Sequence, residues 1–394
     1  MIFKPFRPYV YSDDSSKSLS KVVSPPFDTI SPKRAEELRK SPTNIVHLTL
    51  PEPGSEKPDQ QFRKWVQEGV LARLEKDSFL AVVQEFRKGD VSLQRTGIIG
   101  LVGVFPDDGT VRPHEMTFEK PVSERVEVMR DLGGQPEPIF LLISSARFEK
   151  SLSKAISSGT ILLDFEEPIG VVNRVFLVES PEVISEVTKS LETESAIVAD
   201  GHHRLEATRR LASLHPSDHF WSSCMSYVTS VHDAGLLIGG IHRVVKRKVN
   251  LDDFMGKISE YFDMESITSI NGQDSMVIYR PQGNYARLIP KSIPPDISAR
   301  FHRSIPPETY VLNELLFKTC LGFSDQVLSD EVVYQHDLSQ ALESVDKGEA
   351  SFAVLMPYWN KNTFIQLIMG GDRLPQKSTY FYPKIPSGIA INMP

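Results

Sequence analysis

Cysteine is nearly absent from this chain: Cys224 and Cys320 are the only two among 394 residues. Neither sits at a metal-ligand spacing, so a disulfide framework and a zinc module are both disfavoured, and a reducing compartment is the expectation. Long apolar runs are missing as well. No stretch approaches the ~20 residues of a membrane-spanning helix. The amino terminus, Met1-Ile2-Phe3-Lys4-Pro5-Phe6-Arg7-Pro8, lacks the apolar run of a signal peptide. Positive charge is not in excess: 44 Lys and Arg face 51 Asp and Glu, a net charge of −7, which argues against nucleic acid as a partner. The glycine loops that cradle phosphates, GxxxxGK(S/T) and strand–GxGxxG–helix, do not occur, and neither does HExxH or GxSxG. The expectation is a soluble cytoplasmic protein with no membrane partner and none of the Walker, Rossmann, zincin or hydrolase signatures.

What is present is Ile197-Val198-Ala199-Asp200-Gly201-His202-His203-Arg204, an apolar strand end running into basic residues. Ala196 to Val198 read as strand and Asp200-Gly201 as the turn. Helical spacing then follows through Leu205, Ala207, Leu211 and Leu214. Cations in a helix's first turn oppose its dipole and cost roughly 0.3 to 1 kcal/mol each. A bound anion would reverse that sign, using the free backbone N–H groups, both imidazoles and the guanidinium. Gly201, His202, His203 and Arg204 are therefore candidate phosphate ligands. Asp200 is a candidate for holding Mg²⁺ or taking a proton from a hydroxyl, although Asp-Gly is also an ordinary turn. If the turn meets phosphate, Arg204→Ala weakens nucleotide binding and leaves the fold intact. A structural arginine predicts the reverse.

The chain reads as α+β, a mixed α/β protein, because strands and helices interleave irregularly instead of as a βαβ series. Helices are expected from Ser31-Pro32 through Leu38, from Gln60 to Leu74, Ser123 to Leu132, Pro181 to Leu191 and Leu251 to Phe262, and through Leu312 and Leu316. Strands are expected at Asn44–Leu50, Phe79–Phe86, Gln94–Val104, Ile139–Ile143, Val171–Val178, Tyr227–Val231, Leu236–Ile241, Ser275–Tyr279, Phe352–Met356 and Phe364–Met369, with a proline-broken loop from Pro290 to Pro307. A change of character near Val249 suggests a main body over residues 1–248 and a C-terminal α/β part over 249–394, packed on it because no Gly/Ser linker separates them.

Four other clusters could carry chemistry. Glu115, in His114-Glu115-Met116-Thr117 after a central strand, is a candidate general base, or else a solvated loop glutamate. Asp28 follows the rigid Pro25-Pro26 pair and is a similar case. His242-Arg243 ends a strand after two glycines that permit close approach of a ligand or another segment. Lys377-Ser378-Thr379 and Lys384 bracket Tyr380, Phe381 and Tyr382. The first group could meet phosphate and the aromatics could wall a base, or the stretch is a strand packing on the core.

These residues resemble a bacterial and archaeal family catalogued as domain of unknown function 1015. Phe3-Lys4-Pro5-Phe6-Arg7-Pro8, Val22-Val23-Ser24-Pro25-Pro26-Phe27-Asp28, His114-Glu115-Met116-Thr117, the Asp200 string and Lys377 to Lys384 carry the likeness. Asn313 stands where a histidine is expected. The Asp200 to Arg204 string also resembles the nucleotide-handling turn of the ParB and sulfiredoxin superfamily, which includes kinases of free L-serine. That likeness implies a ParB/sulfiredoxin-like core and an ATP- or ADP-dependent kinase, with Mg²⁺, acting on a small hydroxylated metabolite, serine first. Read from the chemistry of the residues and not from the likeness, the catalytic set would be Asp200, Glu115 and His202, with His242, Arg243, Lys377, Ser378 and Thr379 as further nucleotide ligands. A nucleotide-sensing regulator and a hydrolase of a phosphorylated compound stay open, and a homodimer is compatible with the sequence.

Overall fold

The computed structural model describes residues 1–12, 19–115, 117, 119–270, 275–299 and 307–394. Met116 of the His114 motif and residues 300–306 of the proline-broken loop lie outside that set. The protein is α+β and divides into two compact units. The first comprises Met1–Pro113, Thr117–Leu236 and Pro383–Pro394; the second comprises His114–Met116 and Leu237–Tyr382.

The first unit is built on a nine-stranded sheet. Its strands are β1 Phe3–Lys4, β2 Phe79–Lys88, β3 Val91–Gly103, β4 Val111–Pro113, β5 Ile139–Ile143, β6 Thr160–Glu166, β7 Val172–Val178, β8 Ala196–Asp200 and β9 Ser223–Ser230. They run in the order β4-β8-β5-β9-β3-β2-β7-β6, with β1 paired to β3. Only β8 with β4 and β9 with β5 are parallel pairs, so the sheet is mixed. Strand alternation gives its two faces opposite characters. One face buries Ala81, Ile98, Leu141, Val198 and Val228 with Phe148, Leu152, Val183 and Val187 from helices α1 (Ala146–Ser158) and α2 (Pro181–Leu191). The other carries Gln84, Arg95, Phe140, Tyr227 and Asp200, related by cross-strand pairing and ring contacts.

The last segment of the chain returns to this unit. Tyr9 pairs with Ile391, Ser24 with Ser387 and Gln135 with Asn392 through main-chain bridges. The Lys384 carbonyl accepts a 3.0 Å hydrogen bond from the Gln84 side chain, which places it on the polar face of the sheet.

The second unit holds a six-stranded antiparallel sheet. Its strands are β10 His242–Val245, β11 Phe262–Ile267, β12 Val277–Arg280, β13 Asn284–Pro290, β14 Val332–Gln335 and β15 Phe352–Leu355, in the order β11-β13-β12-β15-β10-β14. A separate pair joins Leu237–Gly239 to Tyr380–Tyr382.

Three expected elements differ. Asn44–Leu50 holds the short helix Val46–Thr49 in place of a strand. Its alternation was misleading because Asn44 is buried and its side chain caps the Val46 N–H at 2.9 Å. Phe364–Met369 lies in the helix Lys361–Met369, started by Asn360 accepting from the Thr363 N–H. The helix expected to Leu74 stops at Gln67, where Gly69 takes φ 72°, and Leu71–Arg73 turns back as a strand against Tyr9–Tyr11.

The change from the first unit to the second falls at 236/237, with β10 inside the second sheet. The excursion at 114–116 is made by the His114 carbonyl accepting from the Leu374 N–H at 2.8 Å, a contact no local pattern encodes.

Candidate functional site

In the first unit β8 delivers Asp200 to a turn that only glycine can make. Gly201 has φ 85°, and a Cβ on it would lie 2.9 Å from Ile139 and 3.1 Å from Nε of Arg204. Helix α3 (His202–Leu214) starts directly after it. No side chain caps the helix, and its first turn contains no acid. The helix start thus brings neither a capping side chain nor an acid of its own, an arrangement that favours an external anion. His202 and His203 are half-buried in that turn.

Arg204 points elsewhere. It is buried, with Nη1 donating to the Pro138 carbonyl and Nη2 lying 3.2 Å from Oδ2 of Asp200. Phosphate was its expected partner; the structure gives it an internal one. The physical reason is its position: in the first turn it faces the buried Glu137 and Cys224 side of the helix. Burial opposes its charge, but the Glu137, Asp200 and Asp28 carboxylates outweigh that and raise its pKa.

Asp200 has a second cation. Lys384 Nζ sits 3.0 Å from Oδ1, and both side chains are about 15% exposed. Burial alone would raise the Asp200 pKa, yet Lys384 and Arg204 hold it well below the usual carboxylate range. With one cation on each oxygen, Asp200 is matched to ammonium and guanidinium instead of a metal ion. Among the described residues no group of three or more His, Cys, Asp or Glu could hold a metal. The Mg²⁺ expected at Asp200 is therefore not shown by a cage of side chains among the described residues.

Behind this pair lies a buried charge cluster that sequence reasoning missed. Glu137 accepts from the Phe27 N–H at 3.1 Å and from the Ser387 hydroxyl. Burial raises its pKa against the pull of Arg204 and Arg125. The Arg125 guanidinium stacks 3.8 Å over the Phe27 ring, with Arg204 at 6.0 Å. Asp28 is exposed beside Phe27, on the loop that Pro25 and Pro26 stiffen. Pro25-Pro26-Phe27-Asp28 was a legible signal for a fixed loop; its arginine partners were not.

The remaining expected residues lie in the second unit. Glu115 accepts from the Lys377 N–H at 3.3 Å, the Ser378 N–H at 3.2 Å and the Thr379 hydroxyl at 3.2 Å. His114, buried between Phe364 and Phe381, lies 2.8 Å from the Thr379 hydroxyl. Glu115 is thus committed to a loop. Arg243 is fully buried, donating to the Ile241 carbonyl and, at 3.1 Å, to the Lys377 carbonyl. Burial lowers it to about 10. His242 accepts the Met356 N–H at 3.0 Å on Nδ1, and burial with the neighbouring Arg243 lowers it to about 4. Both basic residues expected to meet nucleotide are interior groups here, turned to main-chain partners.

The fold and the Asp200 turn therefore define an α+β protein with an uncapped, basic helix start. The chain belongs to the family described as "Protein of unknown function (DUF1015)", whose model matches residues 3–313. The Lys377 to Lys384 stretch falls outside that match. No curated protein matches the sequence. Among solved structures, a free serine kinase in complex with AMP is similar with a TM-score of 0.41 and 13% identity, over 74% of this chain and 91% of that one. A conserved hypothetical protein from Pyrococcus furiosus gives 0.40 and 13%, over 74% and 94%. A C-terminally truncated SbnI from Staphylococcus aureus gives 0.41 and 9%, over 75% and 87%. Likeness at this level leaves the functional reading to the residues of this chain. Among the described residues no helix is long and apolar enough to cross a membrane.

Proposed function

We propose that the protein binds a nucleotide, ATP or ADP, at the Asp200 turn and transfers a phosphoryl group to the hydroxyl of a small metabolite. The observation that carries this reading is the start of α3: no cap, no acid, two histidines, and a lysine brought alongside by the C-terminal segment. The N–H groups of the first turn with His202 and His203 would hold phosphate oxygens, and Lys384 would supply a point charge. Asp200 uses one acceptor position on each oxygen, and a carboxylate offers about four. It can still take a hydrogen bond from an incoming hydroxyl. Phosphoryl transfer passes through a loose transition state, so orienting that hydroxyl matters more than deprotonating it early. Arg204 contributes by fixing Asp200, not by touching the ligand.

A nucleotide-sensing protein is the second reading. It is favoured by the pairing of each Asp200 oxygen with a cation, which holds the carboxylate in place and makes it a weak base. Incubating the purified protein with ATP or ADP, Mg²⁺ and a panel of hydroxylated amino acids, serine first, separates the two. Nucleotide consumption with a new phosphomonoester signal in ³¹P NMR supports the kinase. Tight nucleotide binding without product supports the sensor, phosphate release without an acceptor supports a hydrolase, and absence of nucleotide binding overturns both leading readings.

A further inference from the structure

The loop held by Glu115 has the form of an anion site. Two successive main-chain N–H groups, of Lys377 and Ser378, and the Thr379 hydroxyl converge on one carboxylate. Lys377 takes φ 59°, a left-handed conformation uncommon for a residue with a Cβ, and successive N–H groups around such a residue form a concave donor nest. The peptide that carries the Ser378 N–H is pinned at its other end, because the Lys377 carbonyl accepts from Arg243 at 3.1 Å. The next carbonyl, that of Ser378, accepts from the Trp359 indole at 3.0 Å and fixes the loop beyond it. The dipole of the Ser378 N–H peptide thus turns its positive end toward Glu115.

Arg243 adds an independent reason to expect an anion. It is completely buried, its Nε has no hydrogen-bond partner, and Glu115 is the carboxylate whose charge reaches it. A buried guanidinium without a paired anion is costly, and placing negative charge in the nest in front of it lowers that cost. Glu115 supplies a single negative charge. A phosphate group would bring more charge, more acceptor oxygens and reach of the exposed Lys377 ammonium.

We propose that Lys377, Ser378 and Thr379 form a binding nest for a phosphate group, and that Glu115 occupies it as an internal stand-in until such a ligand displaces its carboxylate. The site lies wholly in the second unit and does not depend on the nucleotide reading of the Asp200 turn.

Thermal melts of the full chain against inorganic phosphate, at constant ionic strength, test this. Glu115→Ala vacates the nest, so its melting temperature should rise with phosphate by several degrees more than that of wild type, which must first release its own carboxylate. Adding Thr379→Val to Glu115→Ala should shrink the extra rise. Adding Asp200→Asn should leave it, which separates this site from the helix start in the first unit. A folded Glu115→Ala protein whose phosphate response equals that of wild type overturns the proposal. Should that variant fail to fold, Glu115→Gln removes the charge while keeping an acceptor for the loop, and the same comparison decides. Because no nucleotide or turnover is involved, failure here and failure of the kinase reading are told apart.

Discussion

Lys384 and Asp200 form an ion pair at 3.0 Å that joins the C-terminal segment to the turn of the motif Asp200-Gly201-His202-His203-Arg204. Arg204 completes the arrangement from the other oxygen at 3.2 Å. One carboxylate thus organises two cations, both partly or fully withdrawn from water, at the start of an uncapped helix.

Arg204→Ala should destabilise the protein strongly. It removes a buried guanidinium bonded to Asp200 and the Pro138 carbonyl, and it strips Glu137 of its strongest favourable charge. Breaking such a buried pair costs about 3 kcal/mol. A denaturant midpoint equal to that of wild type would show that the arginine is not structural.

The pH dependence of Asp200→Asn gives a second check. Asp200 has a lowered folded pKa, so its stabilisation is fully present above its unfolded value of about 3.9 and disappears as pH falls through the lower folded value. At neutral pH the asparagine variant should be less stable, because Lys384 and Arg204 lose their shared counter-charge. Below about pH 4 the gap should narrow. Chemical denaturation from pH 7 to pH 3 measures it, and a gap of constant width would mean that the carboxylate is not held ionised.

Gly201→Ala tests the turn itself. The residue would adopt φ 85° with its Cβ 2.9 Å from Ile139, so both strain and a clash result. The left-handed conformation alone costs about 1–2 kcal/mol for a residue with a Cβ. Urea unfolding should show at least that loss, with nucleotide binding impaired in whatever protein remains folded.

Removing residues 383–394 should unfold the first unit. The segment buries Ile385, Ile389, Ala390 and Ile391 and carries Lys384 and Ser387 to their partners. A fully buried isoleucine contributes about 1.5–3 kcal/mol, so losing several exceeds the reserve of an ordinary domain. A truncated protein that melts cooperatively at the wild-type temperature would refute this.

Short-range chemistry was sufficient for much of this molecule. Ser31 before Pro32, the apolar run Ile139–Ile143 and the Asp200-Gly201 turn each specify their element through caps, burial or an obligatory positive φ, and the observed elements follow. The strand–turn–helix at Asp200 was legible for the same reason, as was the poverty of acids in its first turn. Sequence could not say which way Arg204 would point, because a helix start presents residues both to solvent and to the core. It could not assign Glu115 to the Lys377 loop or Lys384 to Asp200, since charges distant in sequence choose partners only after the sheets have formed. Nor could it show that a chain segment past residue 382 would close the first unit, because its hydrogen-bonding partners lie on Tyr9, Ser24 and Gln135. Local pattern set the elements; long-range packing decided which charges meet.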